Sequence, residues 1–115
     1  DLSLSTEHRS VAHCLNDGGY STGWIGKWHI DGQGRSEFTP PERRQGFQYW
    51  RTLECTHNYN HSPYYGDSPE KKHWEGYDAI AQTKDAQNYL ERYSQSDTDN
   101  PFALSCHGAL PMRLT

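Results

Sequence analysis

Twice along this chain a short run of helical periodicity is broken by a turn and followed at once by an apolar stretch, and that alternation constrains the fold more than any other feature. In the first unit, Val11, Ala12 and Leu15 fall three or four apart, with Ser5 or Thr6 available as N-cap and Glu7 in the first turn, which predicts a short helix over 6–17. Gly18 and Gly19 stop it. The segment 20–28 then reads as a strand running into a bend at Gly26, where a glycine lets another backbone approach closely, followed by exposed chain through Asp31, Gly32 and Gly34. In the second unit Thr83 is the expected N-cap of a helix with Ala86, Tyr89, Leu90 and Tyr93 on one face and Asp85 in its first turn. The polar stretch 94–100 ends that helix, and Pro101 opens Phe102-Ala103-Leu104-Ser105-Cys106, which predicts a strand buried on both faces. Between the units, 36–76 carries no sustained period and is rich in Pro, Tyr, His, Asn and Gly, so it is expected to be a long functional loop. The expected fold is α/β, with helices packed on a mostly parallel sheet and ligands gathering beyond the carboxyl ends of its strands. Two strands do not make such a sheet, so the fold is expected to be incomplete in this chain and poorly stable in isolation.

Composition supports a core-poor but ordered chain. Leu, Ile, Val and Phe together number fifteen of 115 residues, beneath the roughly 20% below which a core is hard to bury. Disorder is opposed by a net charge of only −4 and by fifteen Trp, Tyr and Phe residues. The length fits one domain or a piece of one, and excludes a multidomain machine for this chain. Absence of an initiating Met fits a start within a longer protein, as processing also would. No apolar run reaches the length of a membrane span, and no basic start precedes a signal-type segment, so no membrane role is expected. The eleven Lys and Arg are spread along the chain, which argues against a nucleic-acid surface. Cys14, Cys55 and Cys106 are widely spaced and odd in number, so they define no disulfide framework; Cys14 and Cys106 are expected to be inert and buried.

The chemistry concentrates at the end of the first strand. Lys27 and His29 are separated by one residue, so in an extended chain both project to the same side. A fixed cation beside a titratable imidazole suits anion binding with proton transfer next to it. The same pair also reads as a solvated lysine and a surface histidine. In the loop, Cys55, His57, Tyr59, Asn60, His61, Tyr64 and Tyr65 offer donors, acceptors and flat faces that suit a sugar or an aryl group, or equally a loop packed by its own aromatics. Zinc held by Cys55, His57 and His61 would need a helix, which Asn58, Asn60 and Pro63 oppose. Glu42-Arg43-Arg44 and Glu70-Lys71-Lys72-His73 are expected to be solvated turns, Trp74 and Tyr77 loop anchors, and His8 and His13 exposed.

The run Gly19-Tyr20-Ser21-Thr22-Gly23-Trp24-Ile25-Gly26-Lys27-Trp28-His29 resembles the second signature of the type I sulfatases, the arylsulfatase-like enzymes that depend on formylglycine. Phe38-Thr39-Pro40-Pro41 and Gly46-Phe47-Gln48-Tyr49-Trp50 look like that family's Pro-Pro and Gly-Phe-Asp blocks. The 83–90 helix resembles its Thr-x-Asp-Ala helix, and Pro101-Phe102-Ala103-Leu104 its Pro-Phe strand. The resemblance spans nearly the whole chain. It implies that 1–115 is an internal segment of a single sulfatase catalytic domain, part of an alkaline-phosphatase/sulfatase-like sandwich. It further implies that Lys27 contacts a sulfate oxygen and the nucleophile, and that His29 hydrogen-bonds the formylglycine hydroxyl and acts as base when the covalent sulfate intermediate collapses. A block similar to 55–65 lies over the substrate entrance in relatives, which makes His57, Asn60 and His61 implied substrate contacts. The implied partners are a sulfated small molecule or glycan and the rest of the sulfatase domain, with a secreted or periplasmic location.

The departures from the family pattern matter equally. Cys14, Cys55 and Cys106 each lack the residues that follow a modified nucleophile, so formylglycine is expected outside this chain. There is no adjacent Asp pair, so the ligands of the family's Ca2+ are expected elsewhere too. Pro111-Met112 stands where the family has Pro-His, and a thioether cannot make that charge-assisted hydrogen bond; only a rearranged loop would let His107 replace it. Three readings follow. The chain is a segment of a sulfate-ester hydrolase, inactive by itself; or a sulfated-glycan or anion-binding module that has lost hydrolysis; or a small structural or zinc-stabilised domain with no catalytic ancestry.

Overall fold

The computed structural model describes residues 4–28, 30–32, 34, 37–54, 60–96 and 100–107. In chain order the elements are α1 (Val11–Asp17), β1 (Ser21–Lys27), a 3-10 turn (Pro41–Arg43), β2 (Tyr49–Leu53), β3 (Pro63–Tyr64), β4 (Lys72–His73), α2 (Asp78–Ser94) and β5 (Phe102–His107). β2, β1 and β5 form a three-stranded sheet in that order, parallel throughout, with Lys27 opposite Leu53 on one side and Gly26 opposite His107 on the other. The α/β expectation with a parallel sheet therefore holds.

The helix starts differ from expectation, each for a local reason. α1 is capped by Ser10 rather than by Ser5 or Thr6, and begins at Val11. Ser10 Oγ accepts from the N–H groups of Ala12 (3.1 Å) and His13 (3.4 Å), while His13 Nδ1 accepts from the Ser10 N–H (3.0 Å), a reciprocal cap. Ser5 instead accepts from Glu7 N–H in a turn of its own. α2 starts at Asp78, so Thr83 lies inside it, where its hydroxyl donates to the Ala79 carbonyl at 2.7 Å. On that helix Tyr89 and Tyr93 pack against Phe102 of β5, but Leu90 is 40% exposed.

The stretch expected to be irregular contains β2, β3 and β4. Tyr49-Trp50-Arg51-Thr52-Leu53 is too short to display a period, and its burial is nearly continuous from Thr52 onward. β3 and β4 pair antiparallel, and Thr52 and Tyr65 exchange both backbone hydrogen bonds (3.0 and 2.7 Å), which ties this hairpin to the outer edge of β2. β5 is not the doubly buried strand the sequence suggests: its residues are half-buried or exposed, and Phe102 is 42% exposed.

Aromatic rings do the packing that aliphatic residues are too few to do. Trp28 meets Trp24 and Trp50 edge-on, at 4.9 Å between ring centroids in each case, and Trp24 meets Phe47 at 5.2 Å. Ile25 and Ala12 are fully buried beside them. The Glu42-Arg43-Arg44 turn is not solvated as expected. Arg44 is buried, donating to the carbonyls of Thr39 (3.1 Å) and Gly66 (3.0 Å) and to Asp67 (2.9 Å), with its guanidinium over the Trp50 and Phe38 rings. Burial pulls its pKa below the ordinary arginine value. Cys14 and Cys106 are free and exposed, not buried; partial desolvation, with Asp85 nearby, raises the Cys106 thiol.

Candidate active site

The carboxyl end of β1 is where the fold gathers its polar chemistry. Gly26 has φ +113°, and a Cβ there would sit 2.1 Å from the His107 carbonyl oxygen, so only glycine lets β5 close on β1 at this point. Its neighbour Lys27 is half-buried. Among the described residues its ammonium makes no hydrogen bond or ion pair. Lys27 and Gly26 line a cleft of about 10 Å³, room for about one water, together with Leu53, Ser62, Pro63, Trp74, Asp78 and Gln82.

The far wall of that cleft is built by a buried carboxylate. Asp78, 2% exposed in the first turn of α2, accepts from the Ser62 N–H at 3.2 Å and from the Ser62 hydroxyl. A carboxylate there is also favoured by the helix amino terminus. This bond brings the hairpin loop onto the helix, and the Trp74 N–H to Ser62 carbonyl bond (2.9 Å) and the His61 N–H to Gly76 carbonyl bond (2.7 Å) close it. Trp74 is buried and stacks on Tyr64 at 4.0 Å, so it anchors the loop as expected; Tyr77 forms a bridge with Asn60 and stays at the surface.

The expected site residues are distributed as follows. Lys27 lines the cleft. Asn60 and His61 are exposed on the adjoining loop, where His61 has φ +52° and stacks on His73 at 5.2 Å; the next residues, Ser62 and Pro63, reach the cleft. His29, His57, Cys55 and Met112 lie outside the described residues. His107 is on β5 with its ring stacked on Trp24 at 4.2 Å. Two buried acidic residues carry no mark in the sequence: Asp78, because the helix start is displaced, and Glu54, 3% exposed, because nothing marks β2 as a strand ending at Leu53. The chain through Asp31, Gly32 and Gly34 is not exposed as expected: Asp31 is 3% exposed, held by its pairing with Arg43, and the two glycines are half-buried. Glu54 accepts from the N–H groups of Ile30, Asp31 and Gly32, and Asp31 binds Arg43 through two nitrogens at 2.7 and 3.2 Å, which raises the Arg43 pKa.

Lys27 is thus a half-buried lysine at a strand end, with no ion pair among the described residues. These residues do not fit a metal. Among the described ones no three His, Cys, Asp or Glu side chains converge, and the sequence has no adjacent Asp pair.

The family model described as Sulfatase matches residues 3–108. The chain belongs to the sulfatase family. It is 44% identical over 120 aligned positions to an ulvan-active sulfatase of Formosa agariphila, an alignment that takes in 98% of this chain and 24% of that protein. Among solved structures it resembles yidJ of Bacteroides fragilis, which carries a provisional sulfatase name, at TM-score 0.79 and 27% identity, over 92% of this chain and 26% of that one. A chain from a study of the metabolism of multiple glycosaminoglycans by Bacteroides thetaiotaomicron superposes at TM-score 0.83 with 19% identity, over 99% and 27% of the two chains. Ps i-CgsB, solved in complex with k-i-k-neocarrahexaose, superposes at TM-score 0.74 with 21% identity, over 94% and 28%. The last two likenesses speak for the fold, that of the alkaline-phosphatase-like sulfatases. This sulfatase-family chain spans about a quarter of the length of each relative.

Proposed function

We propose that these 115 residues are an internal segment of one sulfatase catalytic domain, in a protein that hydrolyses sulfate esters, and that Lys27 and His29 serve its sulfate pocket. The observation that carries this reading is Lys27, half-buried at the carboxyl end of β1, whose ammonium has no partner among the described residues. A tetrahedral oxyanion that meets this ammonium supplies the charge it lacks among the described residues, and the ammonium in turn stabilises negative charge that grows on a sulfate oxygen. His29 is assigned the proton transfer beside it, as general base. His57, Asn60 and His61 are assigned to the rest of the substrate.

The substrate class proposed is a sulfated glycan, in preference to a small aryl sulfate. Support comes from the named activity of the ulvan-active relative and from the neocarrahexaose complex of Ps i-CgsB. Calcium and formylglycine belong, in this reading, to other parts of the domain, as does the surface that completes the sheet. A secreted or periplasmic location accompanies it; no helix among the described residues is long and apolar enough to cross a membrane.

The test uses the full-length protein that carries this segment, assayed for sulfate release from a sulfated oligosaccharide. Lys27→Ala and His29→Ala are each expected to lower turnover by about 10²–10³-fold, the scale of losing a charge stabiliser or a general base. The isolated 115 residues are expected to give no release above buffer. Near-wild-type turnover in either variant removes its assignment. Tight binding of the oligosaccharide without any release by the full-length protein favours a binding module instead.

A further inference from the structure

We infer that Glu54 is a positioning residue, whose buried carboxylate holds the backbone that follows β1 and so fixes where Lys27 presents its charge. This rests on the sulfatase reading above. The last residue of β2 and the one after it tie the end of β1 at two points. The Leu53 carbonyl accepts from the Trp28 N–H at 3.0 Å. Then Glu54 Oε1 accepts from the N–H groups of Ile30 and Asp31, both at 3.0 Å, and Oε2 accepts from the Gly32 N–H at 3.1 Å. The two ties lie on either side of position 29 in the sequence.

Three properties separate this carboxylate from ordinary packing. Glu54 is 3% exposed, and among the described residues it has no cationic partner, so its charge is met by the polarity of successive backbone amides. Those amides belong to three consecutive residues, so the carboxylate prescribes a backbone conformation; φ of +71° at Gly32 completes the curve. The held segment is itself braced. Asp31, within it, grips Arg43 with both carboxylate oxygens, and the next residue, Arg44, is pinned over Trp50 of β2 at 5.1 Å. The frame therefore closes on itself from β2 to the 3-10 turn and back. A carboxylate at a strand end that serves successive backbone amides supplies part of what a reacting centre needs: a backbone that stays in place as the reaction proceeds.

The experiment compares full-length wild type, Glu54→Gln and Ala12→Gly. Kinetics are read on a sulfated oligosaccharide, and hydrogen exchange is read at the Ile30, Asp31 and Gly32 amides. Gln keeps the size but sets an NH2 group against N–H donors. Ala12→Gly loosens the buried face of α1, away from the cleft, and reports loss of stability alone. The expected result for Glu54→Gln is kcat lower by about tenfold or more per folded molecule, in keeping with the steep cost of small misplacement. KM should stay within about threefold, since uniform binding is untouched. Exchange at the three amides should be faster, while Ala12→Gly keeps its kcat. Glu54→Gln with wild-type kcat, or with a fall matched by Ala12→Gly, overturns the inference. If Glu54→Gln does not fold, Arg43→Gln, which removes one partly exposed partner of the braced segment, decides by the same readouts. If the wild type releases no sulfate, the sulfatase reading fails by itself. Exchange then still decides on the frame: unchanged protection at 30–32 overturns it and faster exchange supports it.

Discussion

Gly26 and Lys27 show how closely a single position ties chain geometry to chemistry. The glycine was legible as a site of close backbone approach, because nothing with a side chain suits such a bend. What approaches it was not legible: the carbonyl of His107, far away in sequence, would stand 2.1 Å from an added Cβ. Gly26→Ala is therefore expected to force β5 off β1 and to strain a backbone at φ +113°, destabilising the full-length protein by about 2–4 kcal/mol. A thermal denaturation scan checks it, and an unshifted midpoint would contradict the close approach. Lys27 was legible as a cation at a strand end, but its lack of a partner among the described residues is a property of the folded neighbourhood. Glu54 carried no signal at all, since an acidic residue in a stretch without a sustained period looks like any surface carboxylate.

At the scale of elements, the two helix-then-strand units were readable because their periods are local. β1 came within a residue of the expected bounds, and α1 kept its end while moving its start. β2 was not readable, although it pairs with β1 along five positions. Its evidence is tertiary: a parallel neighbour, a Trp50 ring against Trp28, and the bridge from Thr52 to Tyr65. The α2 start was misjudged because Asp78 gains its partners from Ser62, across a loop, rather than from its own helix. Asp78→Ala removes that joint, leaving a buried N–H and hydroxyl of Ser62 unpaired. We expect a loss of about 1–3 kcal/mol in stability, the scale of an unsatisfied buried group, with faster proteolytic cutting within 60–77. Unchanged cutting and an unchanged midpoint would show that the hairpin is held by its Tyr64 and Trp74 stack instead.

For the molecule as a whole, our account reads the scarcity of aliphatic residues together with the quarter-length match to relatives, as a segment of a larger domain. Trp24, Trp28 and Trp50 pack a sheet of three strands, while Phe102 and Leu90 stay largely exposed on β5 and α2. Family membership was legible because the Gly-Lys-Trp-His run and the later blocks recur in order. The sulfate pocket as a whole was not, because its remaining walls are assigned to other parts of the domain. What this segment contributes, in our account, is one cation from a residue that lines a cleft with Asp78, at the end of a strand whose following backbone the Glu54 carboxylate holds.

That contribution is tested most directly by determining the structure of the full-length protein with a sulfated oligosaccharide bound. The account predicts Lys27 Nζ at hydrogen-bonding distance, about 3 Å, from an oxygen of the scissile sulfate. A sulfate group bound elsewhere, with the Lys27 ammonium turned to solvent or paired with a carboxylate of the protein, would contradict it.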